Sequence, residues 1–171
     1  MMTLVLGGAG SGKSAFAEQL AADRHRPVAY IATGGDDRDD VDMAARIERH
    51  RRRRPPEWTT LEPKPDALCA CLLDHRGMVI VDALGTWLAR IPDFAADITA
   101  LTTALRERDG DSVVVSDEVG LGVHPSTEVG RRFREALGAL NQAVAAVADE
   151  VVLVIAGRPL HLPPAQPAES G

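Results

Sequence analysis

Five short apolar runs punctuate the chain: Thr3 to Leu6, Val28 to Ala32, Met78 to Val81, Ser112 to Val115 and Val151 to Ala156. They are continuous rather than alternating, the pattern of strands buried on both faces of a largely parallel sheet. Helical patterns fall between them. Ser14 to Asp23 follows the first run, and Val41 to Arg53 lies between the second and third. Ile98, Leu101 and Leu105 mark a helix ahead of the fourth run. From Glu128 to Ala148, Phe133, Leu137, Leu140, Val144 and Val147 recur at steps of three and four, which lines them along one helix face. Strand alternating with helix predicts an α/β layered domain with right-handed crossovers.

Two loops fall beyond predicted strand ends, where open α/β sheets bind ligands. The stretch from Gly34 to Asp40 is acidic and glycine-led, and Arg54-Pro55-Pro56 stops the helix before it because proline cannot continue it. Pro163 to Gly171 is rich in Pro and Ala and reads as a frayed tail.

The chain has 171 residues, 45% hydrophobic and 26% charged, an ordinary balance for one folded domain. No run reaches the roughly 18 apolar residues of a membrane span. The opening Met-Met-Thr-Leu-Val-Leu has no basic region and no cleavage site, so it does not read as a signal peptide. Cys69 and Cys71 stand in Leu68-Cys69-Ala70-Cys71-Leu72, too close for an easy disulfide and without a second pair for zinc. They read as small core or near-core residues of a protein in a reducing, cytoplasmic setting. A net charge of −6 argues against a general nucleic-acid binder. Basic charge is nonetheless concentrated at Arg49 and Arg51 to Arg54, and Lys13 and Lys64 are the lysines of a chain rich in arginine.

Lys13 lies in Gly7-Gly8-Ala9-Gly10-Ser11-Gly12-Lys13-Ser14, which matches G-x-x-x-x-G-K-[ST] directly after a predicted strand and before a predicted helix. The glycines let backbone N–H groups converge on phosphate oxygens, and the helix N-terminus adds partial positive charge. Lys13 would reach the β and γ phosphates, and the Ser14 hydroxyl would complete a Mg²⁺ shell. Nucleoside triphosphate binding is the strongest expectation.

Asp82 ends the third run and fits either a metal-supporting acid or a helix cap. Glu118, in Ser116-Asp117-Glu118-Val119-Gly120, fits a carboxylate orienting a water, metal or hydroxyl, or a satisfied loop acid. His50 shares a helix face with Arg46. Neighbouring arginines favour neutral imidazole, which near a triphosphate is a nucleophile at phosphorus; the plainer reading is a solvated polar residue. His25, His75 and His161 read as exposed, and His124 is left open.

Taken together, these blocks resemble the bifunctional adenosylcobinamide kinase and adenosylcobinamide-phosphate guanylyltransferase family, from about Leu4 to Leu162. The resemblance rests on the glycine loop, Tyr30-Ile31-Ala32-Thr33, Met43-Ala44-Ala45-Arg46-Ile47 with His50, and Arg54-Pro55 with Trp58, Thr60 and Glu62. It continues through Ser116-x-Glu118-Val119-Gly120-x-Gly122 and a last block from Arg132 to Val151. It implies a single-domain, three-layer P-loop (RecA-like) fold with a mostly parallel sheet, over 1–162, and a flexible tail over 163–171. It also implies His50 as the residue that takes GMP from GTP and passes it to adenosylcobinamide phosphate, after ATP or GTP has phosphorylated adenosylcobinamide.

Nucleotide contacts carried over from the family fall on Gly7, Gly8, Ala9, Gly10, Ser11, Gly12, Lys13 and Ser14, on Ala32, Thr33 and Gly34, on Arg51, Arg52, Arg53 and Arg54, and on Glu62 and Asp82. The implied cofactors are GTP, ATP and Mg²⁺, the metal held by Ser14 and Asp82, and the implied assembly is a homotrimer. The chain departs from the usual pattern at Gly10, in the block Asp82-Ala83-Leu84-Gly85-Thr86-Trp87, at Asp117, His124 and Arg158. A plain small-molecule P-loop kinase without a covalent intermediate is the alternative. A nucleotide-dependent regulatory module, from another class, lacks any added interaction domain in this chain.

Overall fold

Seven strands form one sheet in a computed structural model that describes residues 1–24, 27–34 and 54–164. The strands are β1 (Met2–Gly7), β2 (Val28–Ala32), β3 (Thr59–Leu61), β4 (Met78–Asp82), β5 (Ser112–Asp117), β6 (Glu150–Ile155) and β7 (Arg158–Leu162). Their order is β3-β2-β4-β5-β1-β6-β7, parallel except for the antiparallel β6–β7 pair. The helices are α1 (Lys13–Arg24), α2 (Leu68–Asp74), α3 (Leu84–Ala89), α4 (Ile98–Glu107) and α5 (Glu128–Ala145).

The unbroken apolar strands are explained by the two cores they separate. On one face Val5, Tyr30, Ile80, Val113, Val115, Val152 and Val154 pack with Ala17 and Ala21 of α1 and with Trp58. On the other, Leu4, Ile31, Val79, Val81 and Val114 pack with Leu68, Leu72, Leu101, Leu137, Leu140 and Val144. Successive strand residues point to opposite faces, so both must be apolar when helices cover both sides. The result is the expected three-layer domain.

All five predicted strands are present, and two more extend the sheet at its edges. Thr59–Leu61 is short and mostly exposed, and Arg158–Leu162 is exposed throughout. Neither has the apolar run that marks a buried strand, so the pattern passed over them. The Leu68 to Leu72 stretch, to which the sequence pattern assigned no element, is helical: Leu68 and Leu72, four apart, are buried, with Cys69 and Cys71 half-buried against the same core. The predicted helix Val41 to Arg53 lies outside the described residues, as does the tail from 165 on. Among the described residues no helix is long and apolar enough to cross a membrane.

Candidate functional site

The glycine loop joins β1 to α1 at the carboxyl edge of the sheet. Gly7 has no room for a side chain, since a Cβ there would overlap Ser11 Oγ and stand 2.9 Å from the Val154 carbonyl oxygen. Gly12 sits at φ +91, in the left-handed region that favours glycine. The loop is tied internally by Ser11 N–H to the Gly8 carbonyl at 3.2 Å and Lys13 N–H to Ser11 Oγ at 3.3 Å. It is also tied outward, Gly157 N–H donating to the Ser11 carbonyl at 2.8 Å from the β6–β7 turn. Gly8, Ala9, Gly10 and Gly12 are exposed, so loop backbone faces solvent where a phosphate chain would lie.

Lys13 and Ser14 open α1 and are both buried. The Lys13 ammonium donates to the Gly8 carbonyl at 3.2 Å and pairs with Asp117 Oδ1 at 2.7 Å. The Ser14 hydroxyl donates to Asp82 Oδ1 at 3.1 Å. Two hard oxygen donors side by side at the foot of a phosphate loop suit Mg²⁺, so the residues present fit the metal. Asp82 is held from its other oxygen by the Tyr30 hydroxyl, which donates to Oδ2. Its side chain therefore faces α1 and Tyr30. The helix after it, α3, begins beyond Ala83, where Thr86 Oγ1 donates to the Ala83 carbonyl at 2.9 Å. The cap reading of Asp82 is not needed.

Around this centre the predicted contacts divide. Ala32 and Gly34 are half-buried at the end of β2. Thr33 turns inward: it is 1% exposed, and its hydroxyl donates to the Ala83 carbonyl at 2.6 Å. Its side chain is spent on the β4–α3 turn. Arg54 lies over the Tyr30 ring, its guanidinium carbon 3.5 Å from the centroid, and donates to Thr60 Oγ1 at 3.3 Å. Trp58 stacks on Tyr30 from a centroid distance of 6.5 Å. Glu62 is exposed just past β3. Glu118 accepts from its own loop, at Gly120 N–H, 2.5 Å. His50, Arg51, Arg52 and Arg53 lie outside the described residues, and so does His25. His75 is half-buried rather than exposed, its Nδ1 2.8 Å from the Cys71 carbonyl, whereas His124 and His161 are exposed.

Two partners escaped the sequence pattern. Tyr30 is buried, and its pKa is pushed far above the ordinary tyrosine range, first by that burial and then by the Asp82 charge. Asp117 ends β5, directly opposite Gly7 in register. The sequence names Asp117 within the Glu118 block and as a departure from the family pattern, but nothing local pairs it with Lys13.

Comparison with known proteins follows the same lines. The model of the cobinamide kinase / cobinamide phosphate guanyltransferase family matches residues 3–162. The bifunctional adenosylcobalamin biosynthesis protein CobP of Pseudomonas aeruginosa is 40% identical, over 95% of this chain and 97% of its own. The corresponding CobU protein of Escherichia coli is 37% identical, over 92% and 97%. In fold, the chain is similar to an ATPase from the type III secretion system of pathogenic bacteria, with a TM-score of 0.56 at 8% identity. That alignment covers 89% of this chain and 51% of the ATPase, which places the sheet among RecA-like P-loop folds. The phosphate loop, its lysine and the acid at the end of β4 thus stand within a match that runs through nearly every element: the chain belongs to the cobinamide kinase / cobinamide phosphate guanyltransferase family.

Proposed function

We propose that this protein phosphorylates adenosylcobinamide with ATP or GTP and then transfers GMP from GTP to the product, giving adenosylcobinamide-GDP. The observation that carries the reading is the tied glycine loop with Lys13, Ser14 and Asp82 gathered at its foot, inside a family match over residues 3–162. Both reactions are in-line displacements at phosphorus, and one triphosphate site serves both. In the first, the substrate hydroxyl oxygen attacks the γ phosphorus, the bond to the nucleoside diphosphate breaks, and the hydroxyl proton leaves. In the second, an imidazole nitrogen of His50 attacks the α phosphorus of GTP and pyrophosphate departs. A phosphate oxygen of adenosylcobinamide phosphate then displaces His50 from the same phosphorus.

In this scheme the loop backbone holds the phosphates, Lys13 meets their charge, and Arg51, Arg52, Arg53 and Arg54 clamp charge developing on the transferred group. Ala32, Thr33, Gly34 and Glu62 line the nucleotide from the β2 and β3 ends. Ser14 and Asp82 would hold Mg²⁺, which neutralises phosphate charge when bound. The protein works as a homotrimer in the cytoplasm, the former resting on the family resemblance and the latter on its free cysteines. The chain acts as one catalytic domain over 1–162.

The test is covalent labelling. Protein incubated with Mg²⁺ and GTP labelled at the α phosphate, then denatured, is expected to retain label, and His50→Ala to retain none. GTP labelled at the γ phosphate is expected to leave none. Absence of α label from protein that binds GTP would remove the covalent step and leave a plain kinase.

A further inference from the structure

The Lys13–Asp117 pair has no part in the scheme above, yet it engages the residue on which that scheme depends. Lys13 is 4% exposed at its side chain and Asp117 27%, so the pair is largely withdrawn from water. Three features fix Asp117 in place. Strand β5 lies between β4 and β1, setting Asp117 opposite Gly7. Asn141 of α5 donates from Nδ2 to the Asp117 carbonyl at 3.1 Å, and is itself held through its Oδ1 by the Ser116 hydroxyl at 2.6 Å. Gly85 of α3 leaves the space that the Asp117 carboxylate fills, since a Cβ there would overlap Oδ2.

We propose that Asp117 is a displaceable counter-ion of Lys13 that sets how tightly the loop takes a nucleoside triphosphate. The inference rests on the nucleotide-binding part of the function proposed above. A buried ammonium without a partner is unstable, so Asp117 supports the empty protein. The same pairing opposes loading, because a phosphate oxygen must take the Lys13 ammonium from a carboxylate 2.7 Å away. Once displaced, that carboxylate remains beside the polyanion and repels it. Asp117 thus acts through Lys13, as a positioning residue with opposite effects on the empty and loaded states.

Asp117→Asn removes the charge while keeping the size and an oxygen that accepts from Lys13. Titration of the full chain with GTP, read by calorimetry and by thermal shift up to millimolar GTP, is expected to show Kd falling by about tenfold. The empty variant is expected to melt at a lower temperature than wild type, and the GTP-induced rise in melting temperature to be larger. In a Lys13→Ala background, where only the repulsion is left to relieve, Asp117→Asn is expected to lower Kd by a smaller factor than it does with Lys13 present. Asp117→Glu, which keeps the charge, is expected not to tighten binding. An unchanged or weaker affinity for Asp117→Asn would overturn the proposal, and so would an equal gain with and without Lys13, which would mean repulsion alone. Asp117→Ser serves the same comparison if the Asn variant does not fold. Wild-type protein that failed to bind GTP would instead count against the functional reading.

Discussion

Tyr30 shows how much a single side chain can be made to hold. Its ring carries Arg54 on one side and packs with Trp58, while its hydroxyl secures the acid that faces Ser14. Burial and the Asp82 charge both disfavour tyrosinate. Its folded pKa is therefore raised above its unfolded value of about 10, and the stability this contributes is complete below that pH and lost as pH rises beyond it. The chain has one tyrosine, so ultraviolet absorbance reads it without ambiguity. Tyrosinate is expected only as the protein unfolds; its appearance near pH 10 in protein that is still folded would contradict the arrangement. The glycine loop was legible in the sequence because its eight residues are consecutive and act through their own backbone. Tyr30, Asp82 and Asp117 were legible singly at most. Their partnership depends on which strands end side by side, and no local pattern states that β5 is inserted between β4 and β1.

Among elements, the β6–β7 hairpin bears most directly on the loop. Its two-residue turn, Ala156-Gly157, has positive φ at both positions, 51 and 74, as tight hairpins require. Through the Gly157–Ser11 bond, and with Gly157 Cα only 3.2 Å from where a Gly12 Cβ would stand, the turn braces the phosphate loop. Gly157→Ala meets no atom within 4 Å, so its expected penalty is conformational, about 1–2 kcal/mol in urea denaturation. Because the strain falls on the brace, KM for nucleotide is expected to rise severalfold while kcat changes less. An unaltered KM would show the brace to be dispensable. The hairpin also shows where periodicity stops: β6 was read from its apolar run, but β7 faces solvent along its length and has no such run. The helix α5 was read nearly to its ends, since its apolar face spans the domain.

For the whole molecule, the order of layers followed from alternating strand and helix patterns, whereas assembly leaves no trace in a single chain's periodicity. The proposed homotrimer is expected to sediment at three times the 18.2 kDa chain mass. Sedimentation at the mass of one chain, in protein that takes α label from GTP, would show that one subunit suffices.

The amino edge of the sheet is organised differently from the edge that bears the loop. There the buried Arg108 guanidinium donates to the carbonyls of Gly110, Asp111, His75 and Gly77, at 2.7, 2.6, 3.0 and 2.8 Å. One side chain thereby sews together the turns that lead into β4 and β5. A lysine could not span the same four acceptors, because an ammonium has three donors and no planar fork. The molecule thus has a seam at one pole that is closed by its own sequence. At the opposite pole, a triphosphate gripped by successive loop amides would be a seam of the same kind, one that is made afresh with every nucleotide taken up and undone with every turnover.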